Sequence, residues 1–212
     1  MTDSGRRMLD TLKRILGAGR GDADRDHAAL LAAPPPRPVW QEDRLARFAA
    51  QLKKAAGSWE RVPEPAAVPA AAAAYLEAQG LARELLLAPH PLAQSLPWSA
   101  DWRLCAPPVR GSSCAAALAV AACGIAETGS VVFAAGTAHP TLLALLPDHL
   151  LVLLPLTELV DHMEDVWPRL LAQGALPRTV NFITGPSRTA DIEQTIQLGA
   201  HGARRLHVIV IG

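Results

Sequence analysis

The sequence predicts a three-layer α/β sandwich on a mostly parallel sheet, and three observations carry that expectation. From about residue 59 onward, short β-branched or leucine-rich runs alternate with helical segments. Leu150–Leu154 and Leu206–Ile211 are near-continuous apolar runs, as expected of strands covered on both faces. Residues 179–212 read as strand, loop, helix, loop and strand at the length of one βαβ unit. Its right-handed crossover would make the two strands parallel partners.

Taken in order, residues 6–16 carry Met8, Leu9, Leu12, Ile15 and Leu16 at helical spacing. Ala33–Pro38 cannot be helix or central strand and reads as an extended connector. Leu45, Phe48, Ala49 and Leu52 repeat the helical spacing within 41–56, ended by Gly57. These features outline an N-terminal helical arm, 1–57, ahead of an α/β domain, 58–212. The domain opens with a strand at 59–62 and an alanine-rich helix at 68–79 closed by Gly80. Strands at 84–88 and 102–106 are each stopped by proline. The segment 112–123 is ambiguous, since its alanines favour helix while the chain after it needs extended backbone. Ile125–Ala134 reads as strand, tight turn and strand about Glu127-Thr128-Gly129-Ser130, with Gly129 free to take positive φ. A helix at 140–146, a strand at 150–154 and a helix at about 157–172 lead to the terminal unit, whose helix is expected over Arg188–Leu198.

Composition excludes several classes of function. Lys plus Arg equals Asp plus Glu at 20 each, so nucleic acid and anionic membrane surfaces are not expected partners. The three cysteines, Cys105, Cys114 and Cys123, form no CxxC pair and no zinc-type spacing with histidine, and an odd set of thiols fits a reducing compartment. Cys123 reads as a small core residue. The polar start MTDSGRRMLD and the short apolar stretches predict a cytoplasmic protein without a membrane span.

The loop 184–189 is the strongest local candidate for a site, because it lies at the carboxyl end of a strand, where open α/β sheets bind ligands. Thr184, Ser187 and Thr189 offer hydroxyls, Gly185 a flexible backbone, Arg188 a planar donor fork, and the helix start free N–H groups. A guanidinium is disfavoured at the positive end of a helix unless it meets Asp191, Glu193 or a bound anion. Ser187 also reads as a helix N-cap, and Asp191 as a carboxylate stabilised by the helix start. The loop lacks the glycine spacing of a nucleophile elbow or a phosphate loop. His201 either bonds its loop backbone or acts as acid, base or ligand, and His139-Pro140 reads as a helix-start device.

TGPSRTADIEQT at 184–195 and LGAHGARRLHVIVI at 198–211 resemble the C-terminal signature of the LutC/YkgG-type lactate-utilisation (LUD) family. GIAETGSVVF at 124–133, His139-Pro140 and LLPDHLLVLLP at 145–155 extend the resemblance over roughly 120–212. The chain departs from the family pattern at Ala121-Ala122-Cys123, where an acidic residue is common, and at Ala203, where proline is usual. The resemblance implies the Rossmann-like sandwich shared by the NagB/RpiA sugar-phosphate isomerases and CoA transferases. It also implies a cytoplasmic subunit acting with iron–sulfur partner subunits in oxidising L-lactate to pyruvate. No cofactor is evident in this chain, the clusters being expected on those partners, and a homo-oligomer is compatible with the pattern. On this reading the 127–130 and 184–191 loops form an anion-binding crevice. Thr128, Gly129, Ser130, Thr184, Gly185, Ser187, Arg188 and Thr189 would bind there, with Glu127, His201 and Asp191 as catalytic candidates. The alternative is a stand-alone isomerase or acyl-CoA transferase-like enzyme acting on a phosphorylated or thioester substrate, with Glu127 as nucleophile and His201 beside it. The bland reading of Glu127 is a turn cap.

Overall fold

The computed structural model describes residues 37–107, 114–172, 174–189, 197–198 and 202–212, together with 11 and 14. The chain divides into Met1–Trp40 and Gln41–Gly212. In the first unit, most of the helix expected at 6–16 lies outside the described residues; Thr11 and Arg14 within it are helical.

The second unit begins with helix α1, Arg44–Lys54. The Asp43 carboxylate caps it by accepting from the Leu45 and Ala46 amides, and Lys53 and Lys54 sit at its negative end. Phe48, Ala49 and Leu52 form its buried stripe. Strand β1, Ser58–Val62, follows, and then helix α2, Val68–Ala78, preceded by a 3₁₀ turn. Gly80 at φ +68° ends that helix as expected. Next come β2, Glu84–Leu87, a one-turn helix α3, Pro91–Gln94, and β3, Arg103–Cys105. The ambiguous stretch resolves to β4, Ala116–Val120, whose alanines are buried in the sheet. The second half holds β5, Cys123–Ile125, β6, Ser130–Ala134, helix α4, Thr141–Leu145, and β7, His149–Pro155. It continues with β8, Leu159–Val160, helix α5, Val166–Ala172, and β9, Val180–Ile183. The chain closes with β10, Arg188–Thr189, β11, Gln197–Leu198, and β12, Arg205–Ile211.

Six strands, in the order β1-β12-β7-β4-β2-β3, form one sheet, and every pairing in it is parallel. The central strand β7 pairs with β12 on one side and β4 on the other, and Leu150–Leu154 have no exposed surface. This is why its sequence is apolar without alternation. One core layer sets Val68, Ala71, Ala72 and Leu76 of α2 against Leu85, Leu118, Leu151, Leu153 and Ile209 of the sheet. Each such leucine contributes about 1.5–3 kcal/mol of burial.

A second sheet runs β8-β5-β6-β9, antiparallel except for β5–β8. A Cβ on Gly124 would stand 2.6 Å from Leu154 Cδ2 and 2.9 Å from Leu159 Cδ1, so β5 comes close to β7 at a residue without a side chain. The second core, Cys123, Ile125, Val132, Val160, Val166 and Leu170, gathers between this sheet and α5.

Three expectations are corrected. β9 and β12 are not the paired strands of a βαβ unit: β9 pairs antiparallel with β6, while β12 pairs with β1 and β7 in the other sheet. Segment length is the same for a crossover within one sheet and a passage between two. The helix expected over Arg188–Leu198 is replaced at both described ends by the antiparallel pairs Arg188↔Leu198 and Thr189↔Gln197; 190–196 lie outside the described residues. The helix expected at 157–172 spans only Val166–Ala172, because Leu159 and Val160 are recruited as an edge strand against β5. No helix among the described residues is long and apolar enough to cross a membrane.

Candidate functional site

The carboxyl ends of β2, β4 and β7 open onto a cavity of about 470 Å³. This is the edge of a parallel sheet at which α/β folds place their ligands. Val120, Ala121 and Ala122 follow from β4, Pro155 and Glu158 from β7, and Ala134 and Ala135 from β6. His90 and His139 supply its titratable nitrogens, with ring centroids 4.9 Å apart.

Each histidine stands before a proline that leads into a short helix. Pro91 occupies the first turn of α3, where its missing N–H costs nothing, and His90 Nδ1 accepts from the Leu92 amide at 3.2 Å. That bond requires a bare Nδ1, so neutral His90 carries its proton on Nε2. His139 is held by a tight turn in which Gly136 N donates to His139 O and His139 N donates to Gly136 O. Its ring makes a hydrogen bond with the Val120 backbone.

Burial lowers the pKa of His90 from its ordinary value. Burial also lowers that of His139, helped by the neighbouring His90, while the bond to Val120 pulls the other way. Two imidazoles this close cannot both be cationic without a counter-charge. The pair is therefore neutral near pH 7, with one hydrogen bond each to backbone. The bond that favours the charged ring of His139 is a donation to the Val120 carbonyl, which leaves its other nitrogen as an acceptor. The carboxylate at the cavity wall, Glu158, is paired with Arg169 at 2.5 Å.

The loops expected to form an anion crevice do meet, at the end of the second sheet rather than at the carboxyl rim of the parallel one. Ser130, only 1 % exposed, joins Thr128 at 2.6 Å and Thr184 at 2.5 Å in a chain of hydroxyls. These hydroxyls bond one another. Gly129 and Gly185 are pressed on the end of α1: a Cβ would stand 2.2 Å from Leu52 N at Gly129 and 2.3 Å from Ala55 O at Gly185. Glu127 points elsewhere, with its carboxylate 3.4 Å from both His162 Nδ1 and the Met163 amide.

A smaller cavity of about 260 Å³ lies along Thr184, Gly185, Pro186 and Ser187, closed by Leu145, Gly202 and Leu206. It sits where β7 and β12 begin, the amino edge of the parallel sheet. Ser187 N donates to Ala203 O at 2.8 Å, so this loop is stitched to the stretch that leads into β12. Asp191 and His201 lie outside the described residues, as do the side chains of Arg188 and Thr189. Cys123 is buried in the second core, and burial pushes its thiol up to about 11.

The sequence reading passed over His90. The signal was present: His90-Pro91 repeats His139-Pro140.

A family model described as the LUD domain matches residues 110–211. Over this stretch the chain is similar to the LUD domain. The matched stretch supplies every residue lining the larger cavity except His90 and Leu92. Lactate utilization protein C of Halalkalibacterium halodurans is 37% identical over 91 residues, which is 41% of this chain and 40% of that protein. The proteins of the same name from Shouchella clausii and Bacillus subtilis are 33% identical over 90 residues and 32% identical over 91 residues. Each match again takes in 41% of this chain, and 39% and 38% of those relatives. The matched stretch thus spans about two fifths of the length of these curated relatives. A crystal structure of a DUF162 family protein from Deinococcus radiodurans shares the fold. Its TM-score is 0.60 at 21% identity, covering 82% of this chain and 100% of that one.

Proposed function

We propose that this chain serves lactate utilisation by holding a small carboxylate, L-lactate or pyruvate, in the cavity at the carboxyl edge of β2, β4 and β7. The observation that carries the reading is the His90–His139 pair lining a cavity of about 470 Å³, ample for a three-carbon acid. The relatives named Lactate utilization protein C support the substrate class.

A carboxylate entering the cavity supplies the counter-charge that lets one imidazole take up a proton. The other imidazole then stays neutral. Oxidation of a 2-hydroxy acid removes two protons and two electrons. The chain's own part is to orient the carboxylate and to receive the hydroxyl proton on the accepting nitrogen of His139. The C2 proton would leave to solvent or a partner's base, and both electrons would pass to iron–sulfur clusters on partner subunits, which would supply the oxidant to an assembly working in the cytoplasm.

Calorimetric titration of the purified chain with L-lactate and pyruvate tests the reading, together with growth of a deletion strain on lactate. Saturable binding is expected, weakened at least about tenfold by His139→Asn, a loss of ~1.4 kcal/mol. Wild-type protein should restore growth and His139→Asn should not. No binding of either acid together with normal growth of the deletion strain rejects the proposal.

A further inference from the structure

Away from both cavities, the starts and ends of three strands bring together a set of donors that the lactate reading does not use. Glu84 is the first residue of β2, Cys105 the last of β3, and Cys114 stands just ahead of β4. A carboxylate oxygen and the two sulfurs all lie within 4.8 Å of one another. Cys114 is buried and Cys105 half-buried, and neither is in a disulfide. We propose that Glu84, Cys105 and Cys114 form a binding site for a soft divalent cation of the zinc type.

The donor set decides the class of ion. Two thiolates select zinc-like ions over magnesium or calcium, and the carboxylate, itself a zinc donor, brings the set to three. A tetrahedral zinc ion would hold these atoms about 3.3–3.8 Å apart, somewhat closer than the 4.8 Å that bounds their present separations. The backbone is fixed on one side by the parallel register Glu84↔Arg103 and Leu86↔Cys105. Three protein donors leave a fourth position for solvent or a small ligand, as in zinc sites that act on molecules rather than merely staple a fold.

Charge and proton balance agree with this. The Cys114 thiol is pushed up to about 12, first by burial and then by its bond to Glu84. A cation takes the place of that shared proton. Binding converts two thiols and one carboxylate to a site of net charge −1 around a dication and releases two protons to solvent. The Arg103 guanidinium stands 3.5 Å from Glu84 Oε1 and offsets the remaining charge.

The test uses the full chain, reduced, stripped with chelator and then titrated with Zn(II) and separately with Co(II). One ion per chain is expected, with proton release and a thiolate-to-cobalt charge-transfer band. Cys105→Ser and Cys114→Ser should each weaken binding by about a hundredfold or more and abolish or shift the band. Glu84→Gln should weaken binding while keeping the band. Binding no tighter than that of the Cys105→Ser/Cys114→Ser double variant overturns the proposal. So does a Cys105–Cys114 disulfide in protein purified without reductant. Should Cys114→Ser fail to fold by circular dichroism, Cys105→Ser at its half-buried position and Glu84→Gln decide the matter.

Discussion

The imidazoles of His90 and His139 approach to 4.9 Å between ring centroids, one anchored on the Leu92 amide and the other on the Val120 backbone. Each ring spends one nitrogen on the fold and keeps the other for a ligand. Because burial keeps both neutral, a carboxylate should bind together with a proton. Titrations with pyruvate at pH 7 in buffers of different ionisation enthalpy should give different apparent heats, and affinity should rise as pH falls toward 6. Equal heats in all buffers would mean that the histidines do not titrate with the ligand.

Stability should depend on pH in the opposite sense. His90, His139, His149 and His207 all have pKa values below the ordinary 6.5, with burial the leading cause in each. At His207 the bond to Glu60 opposes that shift. The unfolded chain therefore binds protons more readily than the folded one below about pH 6.5. Stability from these groups is fully present above that pH and is lost as pH falls through the folded values. Urea midpoints should drop steadily between pH 7 and pH 5, and His139→Gln should flatten part of the drop. A constant midpoint would refute this account of the histidines.

The glycines separate tight packing from free turns. Gly129 has φ +68° and no room for a Cβ beside Leu52. Gly129→Ala should cost about 3 kcal/mol or more, since strain and backbone collision combine. Gly136 has nothing within 4 Å of its would-be Cβ and no positive φ. Gly136→Ala should stay within about 0.5 kcal/mol of wild type by chemical denaturation. Equal costs at both positions would contradict the packing described.

Ser130 joins β6 to the end of β9 through the Thr184 hydroxyl. Ser130→Ala should cost about 1–2 kcal/mol, because the exposed Thr184 can turn to water while Thr128 loses a buried partner. Ser130→Val, which adds bulk at a position 1 % exposed, should cost more in the same denaturation experiment.

Much of the fold was legible because strands covered on both faces write themselves as apolar runs. Leu150–Leu154 and Leu206–Ile211 could scarcely be anything else, and Gly129 marks the β5–β6 turn. What failed was assignment between sheets. Val180–Ile183 is half-buried throughout, so nothing in those side chains says which sheet they join. Leu159 and Val160 look helical in sequence and become a strand only because Gly124 and Ile125 offer an edge. The site was harder still. Thr184 and Ser187 belong to one cavity, His90 and His139 to another, and the histidines meet only because the chain after β2 and the chain after β6, strands of different sheets, converge beside Val120 at the end of β4.

The end of α1 has a consequence for anyone choosing where to cut the chain. Leu52 and Ala55 act as a wedge under the β5–β6 turn at Gly129 and the β9 loop at Gly185, yet they fall well before residue 110. A fragment trimmed to the stretch that relatives share would lose that wedge, along with His90 and β1. The homologous portion is thus not a self-sufficient module, and its neighbour upstream is part of its architecture.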